Sequence, residues 1–520
     1  MEGLEIAVVL GLAVLAGGVL QQYLRVPAPW SWVGIGAAVS FVPGFHDLAL
    51  APDVVLYIFL PALLYWESLN VSLRRFAFDL RVILLLSVGL VFATAAAVAG
   101  VATVLGVAFP VALVLGAILS PTDATAVSAM APRLPRRIDV MLRGESLIND
   151  AGALALYAVA VSAVVAGRDP DVGEISLRFL WALVVGAAVG VAAGYVIYLL
   201  RLVATQPSLE ATISVLTPFA LYLPAEVVGG SGVVAVVAGG LLLSRLMPRV
   251  VSSRSRVLGF DFWRVSSFVI NGALFVLIGL QARTVLEYLL DDGVHALWLT
   301  LVITGTVFAV RLGWVALMAP AIRLLDRRPA QRARRVPFRV RALLVWGGFR
   351  GAVSLAAALA MPALIADGGV FPDRELVVVV TFGTILVLLV GQGATMPLVL
   401  QRASIPHTDD EAEAEHQLAT QRMADHALRH LESDAAAEGA AAAATERVRD
   451  HHLRALQRVE DHELRETDED VRRLTLRGVA RKREALDGLR RANRIDDEVY
   501  LRIQGMLDHE ELRWEHPDER

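Results

Sequence analysis

The sequence predicts an all-α polytopic membrane protein that continues into a helical cytoplasmic tail. Apolar residues make up 56% of the 520-residue chain, and the mean hydropathy of +0.57 exceeds what a soluble fold needs for its core. Apolar runs of the length that crosses a bilayer recur up to residue 402. Arginine is abundant in alternate loops between these runs, which is the pattern of short cytoplasmic loops.

Thirteen candidate spans precede residue 403, and two of them are short enough that twelve spans are an alternative. They cover roughly residues 4–22, 30–44, 52–70, 80–106, 108–130, 142–166, 177–201, 208–224, 229–246, 262–282, 296–322, 342–362 and 376–400. The first run has no basic segment before it and no cleavage pattern after it, so we interpret it as a span rather than a signal peptide.

The charges of the loops predict the orientation of the spans. The basic loops are those at residues 25, 74–81, 133–143, 201, 245–264 and 323–341. The intervening loops contain only four arginines, alongside aspartates that include Asp47, Asp53, Asp169, Asp171, Asp291, Asp292 and Asp373. Because short cytoplasmic loops collect arginine, we expect the N-terminus outside and the tail in the cytoplasm.

Residues 403–520 form an acidic tail. Residues 1–402 contain 29 Arg and 23 Asp or Glu, a net charge of +6, and the whole chain has a net charge of -4, which leaves -10 for the tail. Its richness in Ala, Glu, Arg and Leu predicts helices that could form a coiled coil. Nine of the eleven histidines lie there, so one interpretation is a regulatory tail that senses pH. The favoured interpretation is a solvated helical tail without a sensing role. The absence of cysteine excludes disulfides and thiolate metal sites.

The membrane part divides into two halves that predict an inverted repeat. With span 7 as a linker, six spans lie on each side, and the second set starts from the opposite face of the membrane. Transporters built in this way often break a helix at corresponding places in the two halves. Span 5 contains Ser120-Pro121-Thr122-Asp123, and span 12, the fifth of its half, contains Gly347-Gly348-Phe349-Arg350-Gly351. Both sequences free backbone carbonyls, which hydrocarbon tolerates only where they line a cavity or are otherwise satisfied.

The strongest functional signal is the segment 144–150 at the start of span 6. Ser146 and Asp150 lie four residues apart on one helical face, with Asn149 beside them. A hydroxyl, an amide and a carboxylate converge there, and carbonyls near Thr122 could add oxygen ligands for a hard cation. A buried carboxyl group can also hold a proton, so we expect cation and proton to compete for Asp150. A polar network that only ties helices together is the alternative.

Five other ionisable residues lie in or beside the spans, and the sequence leaves alternatives open for most of them. Glu145 has no cation within helical reach, and Arg311 in span 11 is its best partner; a structural ion pair is predicted, with anion binding by Arg311 as the alternative. Arg350 either donates to carbonyls of its own break or marks the cytoplasmic end of span 12. Glu67 is either interfacial or at the mouth of a cavity. For Glu226 we expect an interfacial or structural role.

These residues resemble the monovalent cation:proton antiporter 1 family, the bacterial relatives of sodium/proton exchangers. The resemblance covers most of residues 1–400. It is carried by Ser120-Pro121-Thr122-Asp123, Gly144-Glu145-Ser146 with Asn149-Asp150, Gly229-Gly230-Ser231-Gly232-Val233, Gly279-Leu280-Gln281 and Gly348-Phe349-Arg350-Gly351. Each motif alone is a weak signal, whereas the set is specific.

The resemblance implies a homodimeric secondary antiporter in the plasma membrane that works by alternating access, with crossed broken helices in a mobile core. It implies that Asp150 binds the ion or proton near Ser146, Asp123 and the Thr122 backbone. By the same resemblance Glu145 and Arg311 form the buried pair, Glu67 contributes through water, and the Asn149-Asp150 pair marks electroneutral members. We expect a monovalent cation and a proton as substrates in a lipid membrane, no cofactor and no nucleic-acid partner.

Three rival functions are less well supported. A channel or uniporter would not need a titratable group at its centre, and no metal-ligand histidines or Ser/His pair of an intramembrane enzyme occur in the spans. A sensor that uses the tail would not need polar groups at mid-membrane. The sequence leaves the choice between Na+, Li+ and K+ open.

Overall fold

The computed structural model describes most of the chain. The described residues are 2–24, 26–43, 52–71, 73–131, 134–167, 172–204, 206–247, 250–325, 337–365, 368–403, 409–438, 442–460, 462–491, 503–504, 506–508 and 510–511. Arg25, Arg133, Arg249 and residues 326–336, on which part of the orientation prediction rests, lie outside them. The chain divides into two compact units, Met1–Pro406 and His407–Arg520.

The first unit is a bundle of helices in the part of the chain that is described. Its first half comprises α1 (Glu2–Leu24), α2 (Ala28–Ser40), α3 (Leu60–Asn70), α4 (Leu73–Leu84), α5 (Leu90–Val104), α6 (Phe109–Leu119), α7 (Ala124–Met130) and α8 (Arg136–Val165). The turn Pro52–Val54 and the π-helical turn Val55–Phe59 lead into α3, and a second π-helical turn, Leu85–Gly89, joins α4 to α5.

The rest of the first unit begins with the helix that corresponds to span 7, the predicted linker. It comprises α9 (Val172–Val203), α10 (Pro207–Val227), α11 (Gly232–Leu246), α12 (Ser253–Leu280), α13 (Ala282–Leu325), α14 (Phe338–Trp346), α15 (Ala352–Leu359) and α16 (Arg374–Ala403). Among the described residues the only β-type contact is an isolated bridge between Leu364 and Val370.

The all-helical membrane fold predicted from the sequence is confirmed. Each predicted span coincides with a helix or with a pair of helices. Among the described residues, seven helical segments are long and apolar enough to cross a membrane, and α6 with α7 forms a further candidate that is bent by 45° at its break. Two shorter apolar helices, Val55–Asn70 and Gly232–Leu246, add to these. The number of crossings, twelve or thirteen, stays a prediction.

The helices of the first unit pack as two neighbouring sets. In one, α1 and α2 pack on α12, and α3, α9 and α10 pack on α11; in the other, the broken helices lie among α5, α8, α13 and α16. Small residues let α9 and α11 touch backbone to backbone: a Cβ added to Gly190 would lie 2.2 Å from the Ala235 carbonyl oxygen, and one added to Gly186 would lie 2.5 Å from that of Ser231. This is the usual way in which membrane helices gain packing contacts.

The described part of the second unit is also helical. It contains α17 (Asp409–Glu438), α18 (Ala442–Glu460) and α19 (His462–Arg491), and α17 packs along α18. Val479 and Leu486 of α19 form a small apolar cluster with Leu507, beside an ion pair between Lys482 and Glu510 at 2.6 Å. Three of the tail histidines, His407, His509 and His516, lie outside the described residues.

Candidate functional site

The two helix breaks predicted from the sequence are in direct contact. The backbone N–H of Asp123, in the first break, donates to the carbonyl of Phe349 in the second at 3.0 Å. Gly351 approaches so closely that an added Cβ would lie 1.8 Å from Oδ2 of Asp123. The fully buried Arg350 donates from Nε to the carbonyl of Leu119 at 2.6 Å and from Nη1 to that of Gly348 at 2.8 Å. Arg350 therefore joins both breaks and does not mark the end of a span.

The first break frees carbonyls that α8 then uses. Pro121 lacks a backbone N–H and interrupts the helical hydrogen bonds between α6 and α7. The hydroxyl of Ser146 donates to the Thr122 carbonyl at 2.8 Å, and Nδ2 of Asn149 donates to the Ser120 carbonyl at 3.3 Å. The polar groups of two helices thus satisfy each other in a region where water is scarce.

Asp123 and Asp150 have different surroundings. Oδ1 of Asp123 caps α7, accepting from the backbone N–H of Thr125 at 2.8 Å and of Ala126 at 3.0 Å. Asp150 lies within α8, is 5% exposed, and its Oδ1 has no hydrogen-bond partner among the described residues. A buried polar atom without a partner is costly, so this oxygen is a candidate for binding a mobile ion or proton.

A small cavity of about 40 Å³ lies between the broken helices, α3 and α8. Three carboxyl groups line it, those of Glu67, Asp123 and Asp150, together with Thr122 and Ser146. The cavity is large enough for a few water-sized particles. The structure therefore brings together five of the six predicted ion-binding residues; Asn149 is buried beside the cavity without lining it.

Glu145 and Arg311 form a buried ion pair on the far side of Thr122. Arg311 Nη2 lies 2.9 Å from Glu145 Oε2, a second contact joins Nη1 to Oε1, and the two side chains are 1% and 0% exposed. The Arg311 guanidinium also donates to the Leu344 carbonyl, at 2.9 Å from Nε. Thr122 Oγ1 donates to Glu145 at 3.3 Å. Both charges are therefore neutralised and held by hydrogen bonds, which leaves Arg311 no room for an anionic substrate.

A larger cavity of about 840 Å³ lies next to the small one. It is lined mainly by apolar and tyrosine side chains, and Leu60 lines both cavities. Glu226 lines the large cavity, where its Oε1 accepts from the backbone N–H of Gly232 at 2.8 Å at the start of α11. This hydrogen bond gives Glu226 a structural role.

Three polar residues that line the small cavity were missed in the sequence analysis, Thr125 of α7, Asn271 of α12 and Ser354 of α15. Asn271 is an isolated polar residue in an apolar run, and Ser354 follows Gly351 by three residues, which places it on the first turn after the second break. Both signals were present in the sequence, but neither says which helix faces which.

A helical membrane protein in which two broken helices touch beside a buried carboxylate, one oxygen of which has no partner among the described residues, belongs to the class of secondary transporters. The profile of the family described as sodium/hydrogen exchanger, transmembrane, matches residues 8–402. The chain belongs to this family and is a transporter rather than an enzyme.

Similar proteins agree with this assignment. An uncharacterized Na+/H+ exchanger of Mycobacterium tuberculosis is 40% identical over 98% of this chain and 96% of its own. A sodium, potassium, lithium and rubidium/H+ antiporter of Bacillus subtilis is 31% identical over 77% of this chain and 62% of its own. The structure of the sodium proton antiporter MjNhaP1 from Methanocaldococcus jannaschii at pH 8 matches with a TM-score of 0.61 at 19% identity, covering 78% of this chain and all of that one, which supports the fold.

Proposed function

We propose that the protein exchanges a monovalent cation, foremost Na+, for H+ across the cell membrane, with Asp150 as the carboxylate that both ions share. One observation carries the proposal: Asp150 is buried, its Oδ1 lacks a partner among the described residues, and it faces a cavity bounded by further oxygen-bearing side chains. Hard cations take oxygen ligands, and a carboxylate also binds a proton.

Asp150 is the favoured carrier because two neighbouring acids, Asp123 and Glu145, are engaged elsewhere. Asp123 is fixed as the cap of α7 by two backbone N–H groups, and Glu145 is neutralised by Arg311. Glu67 lines the cavity and is proposed to help hold the cation through water. Thr122 and Ser146 are proposed to supply further oxygens beside Asp150.

The exchange follows from two loaded states of equal charge. Either a monovalent cation or a proton cancels the single negative charge of Asp150. One cation is therefore exchanged for one proton, and the cycle moves no net charge across the membrane. In the proposed alternating-access cycle, the large cavity is the outer vestibule and Leu60 separates it from the ion site. Movement of the broken-helix set against α3 and its neighbours would open the site to one side at a time.

We also propose how the protein sits in the cell. The charges of the loops support an external N-terminus and a cytoplasmic tail, and the tail is proposed to be regulatory. A homodimer is proposed as the working assembly. Na+, K+ and Li+ are the cations to compare first, since the Bacillus subtilis relative is named for all three.

The proposal predicts that Asp150→Asn abolishes exchange in a folded protein, because an amide keeps the shape of the side chain but neither titrates nor carries charge. Purified protein is placed in liposomes with an internal pH dye, and the initial rate of dye response to added Na+ is measured. Asp261→Asn is the control, because Asp261 is 54% exposed and pairs with Arg264 at 2.7 Å. It should exchange at the wild-type rate. Normal exchange by Asp150→Asn, with Na+, K+ or Li+, would refute the proposed function.

A further inference from the structure

Ser354 has a buried hydroxyl that no described residue satisfies. It lies in the first turn of α15 and is 1% exposed, and its Oγ has no hydrogen-bond partner among the residues that the structure describes. Many buried hydroxyls in the helices donate back to a carbonyl one turn earlier, as Ser68 does to Tyr65 at 2.7 Å and Ser87 does to Ile83 at 2.6 Å. The corresponding residues before Ser354 belong to the helix break.

The location of this hydroxyl distinguishes it from other unpartnered ones. Ser31, Thr94 and Thr381 also have buried hydroxyls without a described partner, but none of them lines the small cavity. Ser354 does, together with Asp150, whose Oδ1 is likewise unpartnered. Two residues that line one cavity of about 40 Å³ thus each have a buried polar atom without a partner among the described residues. A ligand that satisfies both would remove two desolvation costs at once.

We propose that the Ser354 hydroxyl is a direct ligand of the transported monovalent cation, opposite Asp150; this inference rests on the proposed function. A hydroxyl oxygen has two lone pairs and one hydrogen, so it can serve each state of the cycle. In the empty site the hydroxyl has no partner among the described residues, and it turns a lone pair to a bound cation. When Asp150 carries the proton, the hydroxyl accepts from it.

The proposal gives the second break a part in ion binding. Asp150 belongs to α8, whereas Ser354 belongs to the half-helix that begins after Gly351. A cation between them links α8 to α15, so binding holds the second broken span against α8. Removing the Ser354 oxygen is therefore expected to weaken cation binding while leaving the proton carrier in place.

The test compares Ser354→Ala with Ser31→Ala, because Ser31 is 3% exposed and also has an unpartnered Oγ among the described residues. Initial rates of Na+-driven proton movement are measured in liposomes over a range of Na+ concentrations. Ser354→Ala should raise KM for Na+ roughly five- to thirty-fold and keep the maximal rate within about twofold. Na+ should also raise the melting temperature of Ser354→Ala less than that of the wild type. Ser31→Ala should match the wild type in both measurements.

A second pair of variants separates the loss of the hydroxyl from a folding defect, which would affect both members of the pair alike. Ser354→Thr keeps the hydroxyl, and Ser354→Val has the shape of threonine without the hydroxyl. KM for Na+ should therefore be several-fold higher in the valine variant than in the threonine variant. The proposal is overturned if the Thr and Val variants have equal KM, or if Ser354→Ala keeps KM within twofold of the wild type. If the Ser354 proposal is overturned but Asp150→Asn still loses exchange, the proposed function stands. If Asp150→Asn exchanges normally, both the proposed function and the role of Ser354 are refuted.

Discussion

The position of each aspartate along its helix determines whether its carboxylate is free to bind a transported ion. Asp123 precedes the first turn of α7, where free backbone N–H groups exist, and two of them bind its Oδ1. Asp150 lies inside α8, where the backbone N–H groups are engaged in the helix itself. A carboxylate in that position depends on other side chains or on a mobile ligand, and for Oδ1 of Asp150 the described residues offer no side chain. The same residue type therefore caps a helix at one position and can exchange ions at the other.

The Glu145–Arg311 pair should behave as a single structural unit. Removing one partner leaves a buried charge uncompensated, so Glu145→Ala and Arg311→Ala should each lower the free energy of unfolding by about 3 to 5 kcal/mol. The double variant should lose clearly less than the two single losses added together. Thermal unfolding of the three detergent-purified variants measures this. Losses that simply add would mean that the two charges do not stabilise each other.

At the scale of helices, the sequence predicts where the two helix breaks lie but not that they touch each other. Pro121 and the glycines around Arg350 mark both breaks in the sequence. The hydrogen bond from Asp123 to Phe349 joins residues more than two hundred positions apart, and no local pattern specifies it. The roles of Ser354 and Asn271 were missed for the same reason. Their side chains matter only because α15 and α12 face the cavity beside α8.

The contact between the breaks predicts that Gly351→Ala is inactive. Gly351 has an extended backbone with φ of -144°, so alanine is compatible with its conformation, but the new Cβ would lie 2.6 Å from Cγ of Asp123. The breaks would have to move apart, which should lower Na+-driven exchange at least tenfold. Gly305→Ala is the control, because an added Cβ there meets nothing within 4 Å. It should exchange normally, and wild-type rates for Gly351→Ala would show that the close approach is not needed.

For the whole molecule, hydropathy and loop charge predict the class of fold, and the motifs predict the family. Both predictions are confirmed, by the helical bundle and by the family profile over residues 8–402. The helices of the membrane part can be predicted from the sequence because any segment that crosses a bilayer must be long and apolar, whichever helices it packs against. The tail lacks that constraint, and any regulatory role depends on contacts that composition does not encode. The volume and lining of the ion cavity likewise depend on packing among distant helices.

The central claim is that one carboxylate, Asp150, holds either one cation or one proton. The direct measurement is the initial Na+-driven rate of proton movement in liposomes at zero and at an imposed membrane potential, set by a potassium gradient with valinomycin. The same potassium gradient without valinomycin controls for transport of potassium itself. Because both loaded states have the same net charge, the account predicts equal rates at the two potentials. A several-fold dependence of the rate on potential would contradict it, since a second proton, such as one from Asp123, would then move in each cycle.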